Sequence, residues 1–474
     1  MRKRSMHRSI GLVLLAFITA VVDLTATARS ADVARPNVLF LLADDLRPDA
    51  IAALGNPTVR TPHLDELAHR GTVFTRAVCA HPLCLPSRAE LLTGCTGFTN
   101  GLHPPQRREF DRTLATWPRT LADAGYRTCY IGKWHTPGRP SEHGWQESPG
   151  LFASGGGKNP LTHPFDHRGE RVTGYVGWVF QTDDRQRFPE HGIGLTPETD
   201  ATIAAAAIEF LKRAGDGPFF LQVNFAAPHD PLLFGPGEED DYDPAAIPLP
   251  PNYRPAHPFD HGNLDGRDER LLPVPRTPDD VRRELAAYNT VVTRLDAQIG
   301  RILACLDETR LSEETLVIFS SDHGLAVGSH GLRGKQNMYE HTIGVPLFFA
   351  GPGVPVGKTR DAQCYLRDLF PTVCELVGVP TPPSVEGQSL AGVIRGEQQE
   401  VYPFVVGYFA DSQRMIRTEH WKYIWYPQIE REQLFDLVGD PHELDDLSDD
   451  PARDVIKTKL RSDLHAWLLE AAAD

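Results

Sequence analysis

Residues 37–45 read NVLFLLADD, a nearly continuous apolar run that ends in two aspartates. Such a run, without alternation of polar and apolar residues, is typical of a strand whose two faces are both covered in a parallel sheet. Asp44 and Asp45 would then follow the carboxyl end of the strand, where open α/β sheets bind their ligands. This segment predicts the fold class and the location of the functional site.

Further apolar runs and helical patterns alternate along the chain. We predict strands at 127–131, 218–225, 315–321 and 346–350 in addition to 37–43. We predict helices that begin at Pro62 and near 199–214, 280–308 and 366–377. This alternation favours an α/β sheet with helices on both faces.

The pattern changes at about residue 390. Short strands are predicted at 402–408, 415–418 and 421–426, followed by a charged stretch and a helix near 454–472. We therefore expect a catalytic domain at 31–389 and a smaller C-terminal subdomain of antiparallel strands and a helix at 390–474. The stretches 138–197 and 230–280 are rich in Gly, Pro and His and are predicted to be long loops over the site.

Residues 1–30 have the pattern of a secretory signal peptide. Basic residues precede an apolar run at 10–22, and small residues follow it. The run is shorter than the ~20 residues that a membrane span needs. We expect an exported protein, periplasmic or secreted, with no membrane attachment after signal removal; a retained signal anchor is the alternative.

Charge and cysteine content exclude some classes of protein. The formal net charge of −15 disfavours nucleic acid as a partner, because a polyanion would be repelled. Seven cysteines in 474 residues are too few for a disulfide scaffold. The odd count leaves at least one thiol outside any intramolecular pairing, and one or two structural disulfides among the rest remain open.

Ionisable residues follow four of the predicted strands at the same end. These clusters are Asp44-Asp45, Gly132-Lys133-Trp134-His135, Pro228-His229 and Asp322-His323-Gly324. Each alone also fits a turn, a helix cap or solvated side chains. Because all four come after the carboxyl ends of strands, we expect them to converge on one site.

The acidic members of these clusters suit a divalent cation. Asp44, Asp45 and Asp322 supply hard carboxylate oxygens, and His323 is adjacent to the last of them. The absence of a Cys-rich or multi-His set argues against zinc. We predict calcium in preference to magnesium.

Residues 84–94 read CLPSRAELLTG, which predicts a short helix with Cys84 at its N-terminus. Backbone N–H groups at that position favour an anion. An ordinary buried cysteine before a helix is the alternative.

Several motifs together resemble those of the sulfatase family. They are Cys84-x-Pro86-Ser87-Arg88 with Leu92-Thr93-Gly94, then Gly125-Tyr126-x-Thr128 with Gly132-Lys133-Trp134-His135, and the elements Asp44-Asp45, Pro228-His229-x-Pro231, Asp322-His323-Gly324 and Gly334-Lys335 in family order. The resemblance covers almost the whole chain from Pro36 and is nearest to iduronate-2-sulfatase-like and bacterial polysaccharide sulfatases, which share the His323 position. It implies an alkaline-phosphatase-like mixed sheet between helices.

The resemblance also implies a role for each motif residue. Cys84 is expected to be oxidised to formylglycine by a maturation enzyme, and its hydrated aldehyde to act as nucleophile. Asp44, Asp45, Asp322, His323 and residue 84 are expected to bind the cation. Arg88 and Lys133 would orient the nucleophile, His135 would accept a proton when sulfate leaves, His229 would protonate the leaving alcohol, and Lys335 would neutralise sulfate charge. The implied substrate is a sulfated carbohydrate, cleaved by a sulfuric ester hydrolase.

Three alternatives remain open at this point. A phosphonate monoester or phosphodiester hydrolase could use the same residues. A non-catalytic relative could bind sulfated glycans, although no expected catalytic residue is missing. A metal-dependent phosphatase could use Ser87 as nucleophile in place of Cys84.

Overall fold

A computed structural model describes residues 35–103, 110–155, 166–167, 170–171, 174–235, 237–238 and 241–471. The predicted signal peptide lies outside the described residues. None of the helices in the described part of the chain combines the length and apolar character needed to cross a lipid bilayer.

The strands, in chain order, are β1 Asn37–Ala43, β2 Thr72–Phe74, β3 Ala77–Val78, β4 Arg127–Trp134, β5 Leu151–Ser154, β6 Asp166–His167, β7 Glu170–Arg171, β8 Trp178–Gln181, β9 Phe219–Asn224, β10 Thr315–Ser321, β11 Leu347–Ala350, β12 Lys358–Arg360, β13 Cys364–Tyr365, β14 Val405–Phe409, β15 Gln413–Arg417, β16 Trp421–Tyr426 and β17 Arg431–Asp436. The α-helices are α1 Pro62–His69, α2 Cys84–Thr93, α3 Gly97–Asn100, α4 Trp117–Asp123, α5 Thr199–Lys212, α6 Pro278–Glu308, α7 Glu340–Ile343, α8 Leu369–Leu376, α9 Ala391–Arg395 and α10 Asp454–Ala471.

The main sheet has nine strands in the order β12-β2-β11-β10-β1-β9-β4-β5-β8. The central strands β10, β1, β9, β4 and β5 are parallel, whereas β11 and β8 pair in antiparallel fashion with their inner neighbours. The mixed sheet with helices agrees with the predicted fold class.

The register of the central strands aligns their carboxyl ends. Ala43 at the end of β1 pairs with Ser321 of β10, and Leu42 pairs with Asn224 of β9. Asn224 also pairs with Gly132 of β4. Side chains that follow these strands therefore start from one edge of the sheet.

Both faces of the sheet are covered, as the apolar sequence of β1 predicts. Leu39 and Leu41 belong to a core that includes residues of α1, α5 and α6. Val38, Phe40 and Leu42 belong to a second core, which includes residues of α2, α4 and α8. Every residue of β1 is buried, which is the state expected for a central strand of a two-sided sheet.

The C-terminal part is an antiparallel sheet in the order β14-β15-β16-β17 with helix α10 against it. Leu460 and Leu464 of α10 share a core cluster with Ile416 and Tyr423 of the sheet. The antiparallel strands and helix were predicted, but β17 lies in the stretch that we expected to be only a charged connection.

The seven cysteines are buried and free, so none of the disulfides left open by the sequence is present. The predicted loop 138–197 contains β5 and β8, which extend the main sheet. In the other predicted loop, 230–280, the described residues have only short 3₁₀ turns before α6 begins.

Candidate active site

The aligned strand ends bring the predicted site residues together. Asp44 and Asp45 follow β1, Asp322 follows β10, and Lys133 is near the end of β4. Cys84 is the first residue of α2 and is 3% exposed. The ends of three different strands and the start of one helix therefore define a single buried polar centre.

Two backbone features allow this close approach. Gly132 has a φ of 92°, and a Cβ there would lie 2.0 Å from the carbonyl oxygen of Asn224, so only glycine fits before Lys133. Asp45 has a φ of 67° although it carries a side chain. Such conformations are concentrated at functional sites, where surrounding contacts hold them; here the Asp45 N–H donates to Asp322 Oδ1 at 3.2 Å.

Cys84 Sγ is at the centre of the cluster. It lies 3.3 Å from Lys335 Nζ, 3.3 Å from His323 Nε2 and 3.5 Å from Asp44 Oδ1. Burial alone would raise the pKa of this thiol, but Lys133, Lys335 and His323 hold the pKa well below its usual range. The position therefore stabilises negative charge on whatever atom residue 84 presents.

Two of the three aspartates are paired with buried lysines. Lys133 Nζ pairs with Asp44 Oδ2. Lys335 Nζ donates to Asp45 Oδ1 at 2.8 Å and to Oδ2 at 3.0 Å. These pairs are almost completely buried, so the charges depend on one another for compensation.

Arg88 links the ends of three strands. Its Nε donates to Asp322 Oδ2 at 2.9 Å, one terminal nitrogen donates to Asn224 Oδ1 at 3.2 Å, and the other is 3.5 Å from Asp44 Oδ1. A planar guanidinium can hold several acceptors in fixed directions. Arg88 thus fixes the carboxylates relative to α2.

The two carboxylates that flank Arg88 differ in acidity. Burial and the Cys84 thiol would raise the pKa of Asp44, but Lys133, His229 and Arg88 hold it well below the usual value. Burial and the charge of Asp44 raise the pKa of Asp322 to about 6, against the opposing effect of His323. Two carboxylates this close therefore ionise at different pH.

His229 lies at the side of the cluster. Its Nδ1 is 2.7 Å from the backbone oxygen of Asp230 and its Nε2 is 3.9 Å from Asp45 Oδ2. Burial and Lys335 would lower its pKa, but Asp230, Asp45 and Asp44 raise the pKa to about 9. The imidazole is therefore held in the protonated form that a general acid requires.

His135 completes the set of predicted residues. Its side chain interacts with the Cys84 thiol, and its ring lies edge-on to Trp178 with centroids 5.4 Å apart. Its Nδ1 is buried and has no hydrogen-bond partner among the described residues.

The donor atoms fit a divalent cation. Asp44, Cys84, Asp322 and His323 can each offer a ligand atom within 4.8 Å of the others, and Asp44, Asp45, Cys84 and His229 form an overlapping set. The three aspartates supply the hard oxygens that calcium and magnesium prefer.

Two residues in this centre were not predicted as site residues. Asn224 ends β9 and accepts a hydrogen bond from Arg88; its position at a strand end was an available signal. Tyr175 is buried and donates a hydrogen bond to the same Asp44 oxygen that binds Lys133. Its sequence context, a region predicted to be loop, contains no comparable signal.

Ser87, the alternative nucleophile, is occupied in a structural contact. It is 2% exposed, and its hydroxyl donates to the backbone oxygen of Asp322 at 2.6 Å. The position is suited to holding α2 against the strand end.

The sheet topology and this charged centre define a hydrolase of the alkaline-phosphatase-like class. The family model described as "Sulfatase" matches residues 36–379, and the model "N-sulphoglucosamine sulphohydrolase, C-terminal" matches residues 328–469. The chain belongs to the sulfatase family. Its sequence motifs and fold are those of a sulfuric ester hydrolase, as the resemblance implied.

Similar proteins agree with this assignment. An ulvan-active sulfatase from Formosa agariphila is 29% identical over 494 residues, covering 98% of this chain and 87% of the relative. A structure solved with its substrate D-glucosamine-2-N,6-O-disulfate has a TM-score of 0.76 at 22% identity, covering 93% of this chain and 99% of the other. The phosphonate monoester hydrolase of Agrobacterium radiobacter has a TM-score of 0.73 at 22% identity, covering 92% and 96%. At these identities the two structural likenesses show the fold alone.

Proposed function

We propose that the protein removes sulfate from a sulfated carbohydrate, with a formylglycine made from Cys84 as nucleophile and a calcium ion as cofactor. The observation that carries the proposal is the position of Cys84 Sγ at a helix N-terminus, within 3.5 Å of Lys335, His323 and Asp44. The helix N-terminus and the neighbouring cations stabilise a nucleophile at residue 84 that becomes anionic and then carries the anionic sulfate group.

Conversion of Cys84 would change the chemistry of this position. A formylglycine supplies an aldehyde that hydrates to a gem-diol, so one oxygen can attack sulfur and the other can assist later release of sulfate. The conversion requires a maturation enzyme as partner. Arg88 and Lys133 would orient the diol, and His135 would accept the proton of its second hydroxyl.

We infer that the cation site is formed by Asp44, Asp45, Asp322 and residue 84, with His323 beside them. Calcium takes six to eight oxygen ligands in flexible geometry, which suits three neighbouring aspartates better than the stricter octahedron of magnesium. A calcium ion here would act as a Lewis acid toward the transferred group.

The remaining cations would act on the substrate. Lys335 is held by Asp45 and lies 3.3 Å from Cys84 Sγ, so it would neutralise sulfate charge next to the nucleophile. His229 is buried and protonated, with Nε2 toward Asp45. We assign it the donation of a proton to the alcohol oxygen as the ester bond breaks.

The test is sulfate release by protein produced with a formylglycine-generating enzyme and calcium. Wild type, Cys84→Ala and the matched buried-cysteine control Cys374→Ala would be given a panel of sulfated saccharides, and mass spectrometry would determine the fraction of residue 84 present as aldehyde. We expect release by wild type and Cys374→Ala but not by Cys84→Ala. Release by Cys84→Ala would refute the assigned nucleophile.

A second candidate function is hydrolysis of phosphonate monoesters or phosphodiesters. It is favoured by the fold shared with the Agrobacterium enzyme, and both reactions transfer a tetrahedral anion. Paired aryl sulfate and aryl phosphonate substrates would distinguish the two by their kcat/KM values. A non-catalytic glycan-binding protein would hydrolyse neither class of substrate. Its Cys84→Ala variant would bind sulfated glycan as tightly as the wild type.

The predicted domain boundary and destination are part of the same proposal. We propose that residues 31–389 and 390–474 are the catalytic domain and its C-terminal subdomain, and that the protein is exported, because sulfated polysaccharides are extracellular substrates. Fractionation of cells that express the full chain, with N-terminal sequencing of the product, would test the export and the removal of residues 1–30.

A further inference from the structure

A cavity of about 580 Å³ adjoins the candidate active site and is not used by the assigned mechanism. Its charged lining comprises four arginines, Arg267, Arg270, Arg283 and Arg333, and three acids, Asp230, Asp280 and Glu284. Its size is that of a small-ligand site. A concentration of arginine is unexpected in a chain with a formal charge of −15.

Three of the arginines are paired with the three acids of the lining. Arg267 binds Asp230 at 2.9 Å, Arg283 binds Asp280, and Arg333 binds Glu284 at 2.7 Å. Asp280 and Glu284 both lie on α6. The Arg333–Glu284 pair therefore joins the segment around residue 333 to α6, the Arg283–Asp280 pair lies within α6, and the Arg267–Asp230 pair joins two segments outside the helix.

These pairs do not account for Arg270 or for one terminal nitrogen of Arg333. Arg270 is exposed and forms no ion pair with a described residue. Arg333 is 2% exposed, and its Nη1 is buried with no hydrogen-bond partner in the described part of the chain. A buried guanidinium nitrogen without an acceptor is unfavourable unless a ligand or water supplies one.

The cavity begins next to the group assigned as general acid. Arg267 Nη2 lies 3.5 Å from His229 Nε2, and Asp230, which lines the cavity, follows His229 directly. The alcohol oxygen must lie near His229 when the ester bond breaks. The remainder of the leaving saccharide would then extend from that oxygen toward Arg267.

On the basis of the proposed sulfatase function, we propose that this cavity binds a second anionic group, a carboxylate or a sulfate, on the leaving part of the saccharide. Arginine binds both oxyanions through paired N–H donors. Leu271 and Leu272 provide an apolar part of the wall, against which the C–H face of a sugar ring can pack. Arg270 is the specificity-determining residue, because its charge forms no ion pair with any residue that the structure describes.

The test measures binding without turnover. Calorimetry would determine the Kd of a heparin-derived disaccharide, which carries a carboxylate and sulfates, for Cys84→Ala and for the same protein with Arg270→Gln, Arg270→Lys or Arg70→Gln. Arg70 is an exposed arginine after α1 and controls for the loss of one positive charge. We expect about tenfold weaker binding with Arg270→Gln, partial recovery with Arg270→Lys and no change with Arg70→Gln.

Two ligand variants would identify the group that is bound. If the carboxylate is recognised, the carboxyl-reduced disaccharide will bind the Cys84→Ala parent and its Arg270→Gln variant equally; if a sulfate is recognised, the effect of Arg270→Gln will persist with the reduced ligand. Equal affinity of the intact disaccharide in the Arg270 and Arg70 variants, or no binding by the parent protein, would overturn the proposal. Because sulfate release is measured separately, failure of the proposed function and failure of this site give different results.

Discussion

Replacement of Lys422 by Met tests how much the buried charges that join the C-terminal sheet to residues 338–340 contribute to stability. Lys422 is fully buried in β16, and its ammonium lies 2.6 Å from Glu340 Oε1 and 2.7 Å from Glu443 Oε1. It also donates to the backbone oxygen of Met338 at 3.1 Å. Glu340 has a second cation, since Arg417 pairs with it at 2.8 Å. Glu443 is 2% exposed, and Lys422 is its only ion-pair partner within the described residues.

The expected loss of stability follows from the difference between Glu340, which has a second cation, and Glu443, which does not. Without Lys422, Glu340 keeps Arg417, but Glu443 is left as a buried acid without a counter-ion. Removal of one member of a buried pair typically lowers the free energy of unfolding by about 3–5 kcal/mol. The double variant Lys422→Met/Glu443→Gln removes the uncompensated charge and should recover most of that loss.

The loss should also depend on pH. Burial raises the pKa of Glu443 to about 7, even though Lys422 lowers it. An acid whose pKa is higher in the folded state binds a proton that the unfolded chain has released, so stability falls as pH rises from its usual pKa toward the folded one. Loss of Lys422 raises the folded pKa further. The variant should therefore be more destabilised at about pH 8 than at about pH 6.

Reversible urea denaturation followed by tryptophan fluorescence would measure these differences. Lys459→Met is the matched control, because Lys459 forms an exposed pair with Asp463 and should change stability by less than about 1 kcal/mol. An unchanged midpoint in Lys422→Met, or a loss that Glu443→Gln does not reduce, would refute the argument.

Three further predictions concern the site itself. Arg88→Lys should lower kcat/KM by about 100-fold or more, because one ammonium cannot replace contacts to Asp322, Asn224 and Asp44; unchanged kinetics would contradict its orienting role. Tyr175→Phe should weaken calcium binding about tenfold in a fluorescence or calorimetric titration, because Asp44 loses a hydrogen bond; equal affinity would rule out this positioning role. Chelation should abolish sulfate release, and calcium should restore it more effectively than magnesium; full activity after chelation would exclude a required cation.

Much of the fold was predictable because the central strands are buried on both faces. The apolar run at β1 has no polar position to satisfy, so its boundaries, Asn37–Ala43, coincide with the prediction. The edge strands were harder to predict. Arg431–Asp436 contains Arg, Glu and Asp, and its first residue is exposed; charged residues are common on edge strands, where they discourage further pairing. Without the structure, the same composition is typical of a loop.

The site was predictable to the extent that its residues belong to contiguous motifs. Cys84 and Arg88 occupy one helix, and Asp44 with Asp45 directly follows a strand, so short sequence patterns include them. Tyr175 reaches Asp44 from a residue 131 positions away, with a φ of 56°. Neither that separation nor that backbone conformation has a sequence pattern by which it could be recognised.

The C-terminal sheet contacts the segment that directly follows Lys335. Gln413 Nε2 donates to the backbone oxygen of Gln336 at 2.8 Å, and Lys422 donates to that of Met338 at 3.1 Å. The Tyr339 hydroxyl donates to Gln433 Oε1 at 2.9 Å. These contacts fix the backbone immediately after Lys335. A lysine side chain is flexible, and Lys335 approaches residue 84 at a constant distance only if its backbone is held. The antiparallel sheet contributes none of the predicted site residues, yet it holds the backbone that follows Lys335, while Asp45 holds the ammonium.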